Sequence, residues 1–325
     1  MFGRWFFIAA SLAAFIVAST IGVLAQAYPT GTVTFIEPFP VGGSIDVVMR
    51  AIAPRLQERF GKPFIVESHT GAGGVIATSL VAKASPDGHT LLAAASSLAA
   101  NQELSKSSPY DTLRDLQAVS LVFRTPLLLV VNPKLEVKSI PDLIALLKQK
   151  PDQITFAHSG VGAAIHLAAE LFQVMTGTKM IGVAYRGVQA AMTDVMEGRV
   201  DLMFADAGAV VGQVKSGTLR ALGTTATTRI PAFPDVPAIA ETVTGFDAVG
   251  WTLVCAPAAT PKPIIDSLSV ELAAAAEAPE VRDLILQLGN IPVKSPPPDE
   301  LQKFLASEIK RWSVLIDAAG LAKTL

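Results

Sequence analysis

The chain passes again and again from a short apolar run, through a glycine- and serine-rich turn, into a helix, and this constrains its fold more than any other feature. The first instance is Thr34–Ile52, TFIEPFPVGGSIDVVMRAI. A short strand gives way to two prolines and Gly42-Gly43, and from Ser44 onward Ile45, Val48, Met49, Ile52 and Leu56 recur at helical spacing. Ser44 is placed to cap this helix and Asp46 to favour its first turn, while Gly42 and Gly43 offer bare main-chain N–H groups to a ligand. One such turn is a capped βα unit and nothing more. Several facing one another make a site for an anion.

The pattern does recur. Phe64–Glu67 reads as a second strand, Ser68–Gly74 as a turn before a helical stretch to Ala84, and Thr90–Ala95 as a buried strand. Leu116–Val131 is rich in β-formers and stops at Asn132-Pro133. Then come helix Ile140–Lys150, strand Ile154–Ala157, a helix to Met175, strand Ile181–Tyr185, a helix to Glu197, and strands Asp201–Ala205 and Leu219–Thr224. Phe246–Ala256 reads as one more β segment. Helices Lys262–Ala276, Glu280–Leu288 and Asp299–Ile316 follow with no strands of their own, so they are expected to pack back on the first sheet. The reading is an α/β protein of two lobes, each around a mostly parallel sheet, with lobe 1 formed by 28–122 and 248–325 and lobe 2 by 123–247. Two crossings, near Leu121–Val130 and Val249–Ala256, make a natural hinge.

Residues 1–27 stand apart. Arg4 is the only charge before Glu37, Trp5–Leu24 is almost continuously apolar, and Ala25-Gln26-Ala27 has the small-x-small pattern cut by signal peptidase. A secretory signal cleaved after Ala27 is expected; an uncleaved anchor is the competing reading, since about 20 apolar residues span a bilayer. Cleavage removes one of 26 basic residues and none of 28 acidic ones, leaving a net charge near −3. That excludes a nucleic-acid binder. Cys255 is the sole cysteine, which rules out an internal disulfide, and its apolar neighbours Leu253, Val254 and Ala256 predict a buried, inert thiol.

Ligands of open α/β sheets bind beyond the carboxyl ends of the strands. The turns there are Phe39-Pro40-Val41-Gly42-Gly43-Ser44, Ser96-Ser97, His158-Ser159-Gly160-Val161-Gly162 and Tyr185-Arg186-Gly187, with Asp206 ending a fifth strand. Glycine, serine and helix starts dominate them. Each N–H or hydroxyl bond to a carboxylate contributes roughly 1.5–3 kcal/mol and each helix terminus about 0.3–1 kcal/mol, so a handful hold a small anion at micromolar affinity. Arg186 either pairs with a carboxylate or is a structural arginine. Asp206 either accepts from the ligand or caps the helix after it. Asp46 organises the first loop and is carried as a candidate contact, and His166 is a hydrogen-bonded helix residue or a direct contact.

Catalytic motifs are missing. No G-x-S-x-G, H-E-x-x-H or C-x-x-C occurs, and Gly71–Ile76 and Gly160–Ile165 each lack the last glycine of a dinucleotide fingerprint. Gly61-Lys62 is followed by Pro63, which rules out a P-loop. Of the four histidines only His158 and His166 are near in sequence, with no third ligand evident. Neither a cofactor, a metal nor an enzymatic activity is expected.

At this point a resemblance emerges. Pro38–Asp46, Gly71–Gly74, Ser85–Leu92, Ser159–Gly162 with His166-Leu167, Tyr185–Gly187, Asp201–Phe204, Pro234–Pro237 and Ala256–Pro263 follow in the order seen in the Bug-type extracytoplasmic solute receptors of the tripartite tricarboxylate transporter family. The resemblance covers essentially the whole chain after the leader. It implies a periplasmic, monomeric receptor of the type II binding-protein (Venus flytrap) form, which captures a small mono-, di- or tricarboxylate, aromatic acids included, and delivers it to the membrane components of a tripartite transporter. It also implies that the carboxylate is held by the loop after the first strand, Phe39–Asp46, and by the loop opening the second lobe, Ser159–Ala164, which adds Ala163 and Ala164 to the candidates. The chain departs from the family at Ser68-His69-Thr70 and in the alanine-rich stretch Ala93–Ala100, read as a loop that shapes the distal pocket. With few charges there, a partly apolar or aromatic acid is favoured over citrate. Two other functions use the same residues: a ligand-sensing subunit for a membrane kinase, and a secreted α/β enzyme.

Overall fold

A computed structural model describes residues 28–324; the expected leader, its cleavage after Ala27 and the anchor alternative fall outside the described residues. The strands are β1 (Val33–Glu37), β2 (Phe64–Ser68), β3 (Thr90–Ala95), β4 (Leu116–Thr125), β5 (Leu127–Val131), β6 (Thr155–His158), β7 (Ile181–Ala184), β8 (Leu202–Asp206), β9 (Arg220–Thr224), β10 (Gly250–Pro257) and β11 (Ile291–Pro292). The helices are α1 (Ser44–Phe60), α2 (Val75–Ala82), α3 (Ser97–Leu104), α4 (Thr112–Asp115), α5 (Ile140–Gln149), α6 (Ala164–Thr176), α7 (Val188–Glu197), α8 (Val211–Ser216), α9 (Lys262–Glu277), α10 (Pro279–Gln287) and α11 (Pro298–Ala318).

The strands form two sheets, in the orders β11-β4-β10-β3-β1-β2 and β7-β6-β8-β5-β9. In the first, β1 is parallel to β2 and β3, while β10 runs antiparallel between β3 and β4. In the second, β6 is parallel to β7 and β8, and β5 runs antiparallel to β8 and β9. The carboxyl ends of β1, β3 and β4 therefore share one end of their sheet, and those of β6, β7 and β8 share one end of the other.

Both faces of the first sheet are buried, which explains apolar runs such as β3. Leu91 and Ala93 join one core with Phe35, Met49, Ile52 and Leu272; Leu92 and Ala94 join another with Ile36, Val81, Trp251 and Leu305. Helix α1 places Val48, Met49, Ile52 and Leu56 against the sheet and stops at Gly61, whose left-handed φ of 69° returns its N–H to the Gln57 carbonyl. The second sheet has its own core, built on Leu127–Val131 with Phe156, Phe172, Phe204 and Phe246.

The stretch Leu116–Val131 breaks at Pro126, which has no N–H for a ladder, so that β4 serves the first sheet and β5 the second, at the crossing expected near Leu121–Val130. Three sequence expectations change. Phe246–Val249 is not strand: Asp247 accepts from Val249 N–H at 3.1 Å and from Arg124 at 3.3 Å, and this turns the chain before β10 begins at Gly250. The C-terminal segment does own a strand, β11, which pairs with β4 at the sheet edge. The alanine-rich stretch is no loop, because Ala93–Ala95 belong to β3 and Ala99 and Ala100 to α3. Alanine favours helix, and here it also lets α3 lie close to the sheet. The thiol of Cys255 is buried as expected, and burial pushes its pKa up to about 12.

Candidate functional site

The first turn is organised by one carboxylate. Gly42 adopts φ 88°, which aims its N–H at Asp46 Oδ2, 2.9 Å away; Asp46 Oδ1 accepts from Arg50 Nε at 2.6 Å, and Arg50 donates on to the Val66 carbonyl at 3.2 Å. Gly43 N–H donates to the Pro40 carbonyl at 3.3 Å, and Ser68 Oγ donates to the Phe39 carbonyl. The two glycine amides expected to be bare are thus occupied inside the turn. Ser44 is likewise not the cap: Gly43 holds that position, in extended conformation, and no side chain caps α1. The N–H groups of Ser44, Ile45 and Asp46 have no hydrogen-bond partner among the described residues. Phe39, Pro40, Gly42 and Gly43 are exposed, Ser44 is half-buried, and Asp46 is buried beneath them.

The turn between β6 and α6 is organised by two histidines. His158 Nδ1 accepts from Gly160 N–H at 3.2 Å and His166 Nδ1 from Gly162 N–H at 3.4 Å, with the rings 4.4 Å apart between centroids. Both rings are buried, and burial lowers both pKa values, that of His166 to about 4. They are therefore neutral, with Nδ1 free to accept. Gly160 and Gly162 take φ of 120° and 81°, which side-chain-bearing residues avoid. Ser159, Gly160 and Ala163 are half-buried and Ala164 is exposed, and no side chain caps α6. Ala164 and Ile165 N–H groups are unpartnered among the described residues.

The remaining turns divide. Helices α3 and α7 also start without a side-chain cap, at Ser97 and after Gly187. Tyr185 turns away, its hydroxyl donating to Asp194 Oδ2 at 2.6 Å, and Arg186 projects into solvent. Asp206 caps nothing with its side chain. It is open to solvent, yet the protein around it strips enough hydration from the carboxyl to raise its pKa.

Side-chain caps are the exception among the described helices: α2, α8, α9, α10 and α11 also start without one, and only α4 and α5 carry one. Asp111 caps α4, accepting from Leu113 N–H at 3.1 Å and Arg114 N–H at 3.0 Å, and Ser139 caps α5 by accepting from Asp142 N–H at 3.2 Å. Helix α4 leads into β4, and α5 follows β5, which runs against β8. Both capped helices therefore start at the sheet ends opposite the candidate turns.

Across the two sheets, Ser96, Ser97, Gly162 and Ala164 line one crevice of ≈ 10 Å³, about the room of a single water molecule, together with Leu167, Ala248, Gly250 and Trp312. The structure thus joins two of the predicted turns directly, while the first turn stands open beside them. Leu167, Ala248, Gly250 and Trp312 were not anticipated. Gly250 had a signal, a glycine opening a strand that closes on Ser96 Oγ and the Thr125 carbonyl, each 3.4 Å from an added Cβ. Trp312 comes from the distant helix α11 and had none. Among the described residues no three His, Cys, Asp or Glu side chains gather to hold a metal ion.

Two α/β sheets joined by two crossing segments, with bare helix starts from both sheets around one opening, define the two-lobed class of solute-binding proteins. The profile described as "Tripartite tricarboxylate transporter family receptor" matches residues 48–321, and the chain belongs to that family. It is 39% identical over 301 residues to Protein BugT of Bordetella pertussis, covering 92% of each chain. Among solved structures it resembles Rpa4515 of R. palustris with adipate, at 34% identity and a TM-score of 0.79, covering 91% of this chain and 99% of that one. It also resembles MatC of Rhodopseudomonas palustris with bound malate, at 30% identity and a TM-score of 0.76, covering 89% and 100%. Solute binding within this receptor family, on an α/β two-sheet fold, is established for the chain on these grounds.

Proposed function

We propose that the chain is a periplasmic receptor that closes its two lobes on a small organic carboxylate and presents it to the membrane components of a tripartite transporter. The observation that carries this reading is the placement of four uncapped helix starts, at Ser44, Ser97, Ala164 and Val188, directly beyond the carboxyl ends of the parallel strands β1, β3, β6 and β7. A helix start leaves N–H donors and a positive dipole end, and a carboxylate satisfies both. The site residues are the turns Phe39–Asp46 and Ser159–Ala164 with Ser96 and Ser97, and Asp206 faces any donor that the ligand carries. Leu167, Ala248 and Trp312 favour an acid with an apolar body, of which the adipate bound by Rpa4515 is an example, over citrate.

Thermal unfolding with a panel of adipate, malate, citrate and benzoate tests this. A ligand at 100 times its Kd adds about 2.7 kcal/mol to the folded state. At least one apolar-bodied acid should raise Tm more than citrate does; a panel in which no carboxylate moves Tm contradicts the reading.

A further inference from the structure

We propose that Glu37 is a positioning residue for the first anion-binding turn, acting through Asp46 on the Gly42 amide; the proposal rests on the receptor reading above. Glu37 is the last residue of β1, directly before the turn, and is completely buried, at 0% exposure. Neither of its carboxyl oxygens has a hydrogen-bond partner among the described residues. A buried carboxyl without partners is costly, and one placed there without a use is a liability.

Strand alternation puts Glu37 on the face of β1 that carries Val33 and Phe35, which α1 covers. The charged groups that reach it are Asp46 and Arg50, both from α1. The flanking strands offer no others: β2 contributes Val66 and Ser68, and β3 contributes Ala93. Asp46 in turn holds Gly42 N–H on one oxygen and Arg50 on the other. Glu37 thus lies behind the one carboxylate that shapes the turn.

Burial first, and the negative charge of Asp46 second, push the Glu37 pKa up to about 7. While it carries its proton, Asp46 keeps Arg50 and the Gly42 amide to itself. Once the proton leaves, two carboxylates compete for Arg50, Asp46 shifts, and Gly42 N–H loses its acceptor. The turn that aims Ser44 and Ile45 N–H at the ligand then loosens. The receptor accordingly grips its anion more tightly on the acid side of neutrality.

The test is a pH titration of the full chain without its leader, followed by the Gly42 amide in ¹H–¹⁵N spectra without ligand. The wild-type resonance should move with a midpoint near 7, and in Glu37→Gln it should stay flat. A flat wild-type resonance, or an unchanged titration in Glu37→Gln, overturns the proposal; should the variant not fold, the wild-type titration alone decides. Calorimetry with adipate supplies the second reading. Its wild-type affinity should fall about 5-fold from pH 6 to pH 8, the worth of one ordinary hydrogen bond, and that of Glu37→Gln should not. A chain that shows the Gly42 titration yet binds no adipate at either pH supports the role of Glu37 and counts against the receptor reading, so the two fail separately.

Discussion

Gly208 and Gly289 meet backbone to backbone across the two sheets. A Cβ on Gly208 falls 2.1 Å from the Leu288 carbonyl oxygen, and one on Gly289, which holds φ 75°, falls 2.5 Å from Gly208 N. Gly208 follows β8, whose neighbour Ala207 donates to the Pro126 carbonyl at the crossing, and Gly289 precedes β11 on the edge of the first sheet. The contact therefore braces one side of the hinge. Gly208→Ala should force the lobes apart there, lowering stability by about 1–3 kcal/mol and increasing the radius of gyration in X-ray scattering. Gly212→Ala, in helix α8 where an added Cβ meets nothing within 4 Å, should leave the radius of gyration unchanged and stability equal or up to about 1 kcal/mol higher. Equal scattering from Gly208→Ala and the parent would show that the brace does not set lobe spacing.

Glu308 ties the crevice wall to the core. It is buried, and it accepts from Trp251 Nε1 at 2.9 Å, Trp312 Nε1 at 3.4 Å and Arg311 at 3.0 Å. Glu308→Ala strands two indole N–H groups and a cation, so a loss of about 3–5 kcal/mol is expected in urea denaturation. Because Trp312 lines the crevice, carboxylate affinity should weaken as well. A loss below about 1 kcal/mol, the value of an exposed ion pair, would contradict the role.

The histidine pair sets an acid limit. Folded pKa values below the unfolded value of about 6.5 mean that the unfolded chain binds the extra protons between the two, so stability is full above about pH 6.5 and falls as pH drops. For His166 the loss extends down to about pH 4. Tm measured over that window should fall for the wild type. His166→Gln should start lower, because Gly162 N–H loses its acceptor, but decline less steeply. Parallel declines in the two proteins would show that His166 is not the titrating group.

Much of this arrangement was legible in the sequence. Periodicity located β1, α1, β3, α6 and the C-terminal helices, and strand-end turns marked the candidate site, because both depend on neighbours along the chain. What was missed depends on partners far away. Gly42 was read as a bare amide, since only the folded turn shows Asp46 taking its N–H. Ser44 passed for a cap because serine in that place usually is one. Ala93–Ala100 looked like loop because a strand and a helix meet inside it with no glycine or proline between them. Trp312 reaches the crevice from more than 140 residues beyond Ala164, and no local pattern announces that.

The bare start of α1 offers the most direct test of carboxylate capture. Gly43 has φ −71°, and an added Cβ would meet only the Pro40 carbonyl, at 3.4 Å, so aspartate fits the backbone. In Gly43→Asp the new carboxylate caps the Ser44–Asp46 amides itself, which should leave stability equal or raise it by roughly a few tenths of a kcal/mol. It should also repel the ligand from those amides. The decisive measurement is the calorimetric affinity of Gly43→Asp for whichever carboxylate the wild type binds. A loss of about 10-fold or more with Tm undiminished is expected, and an unchanged affinity would contradict the account.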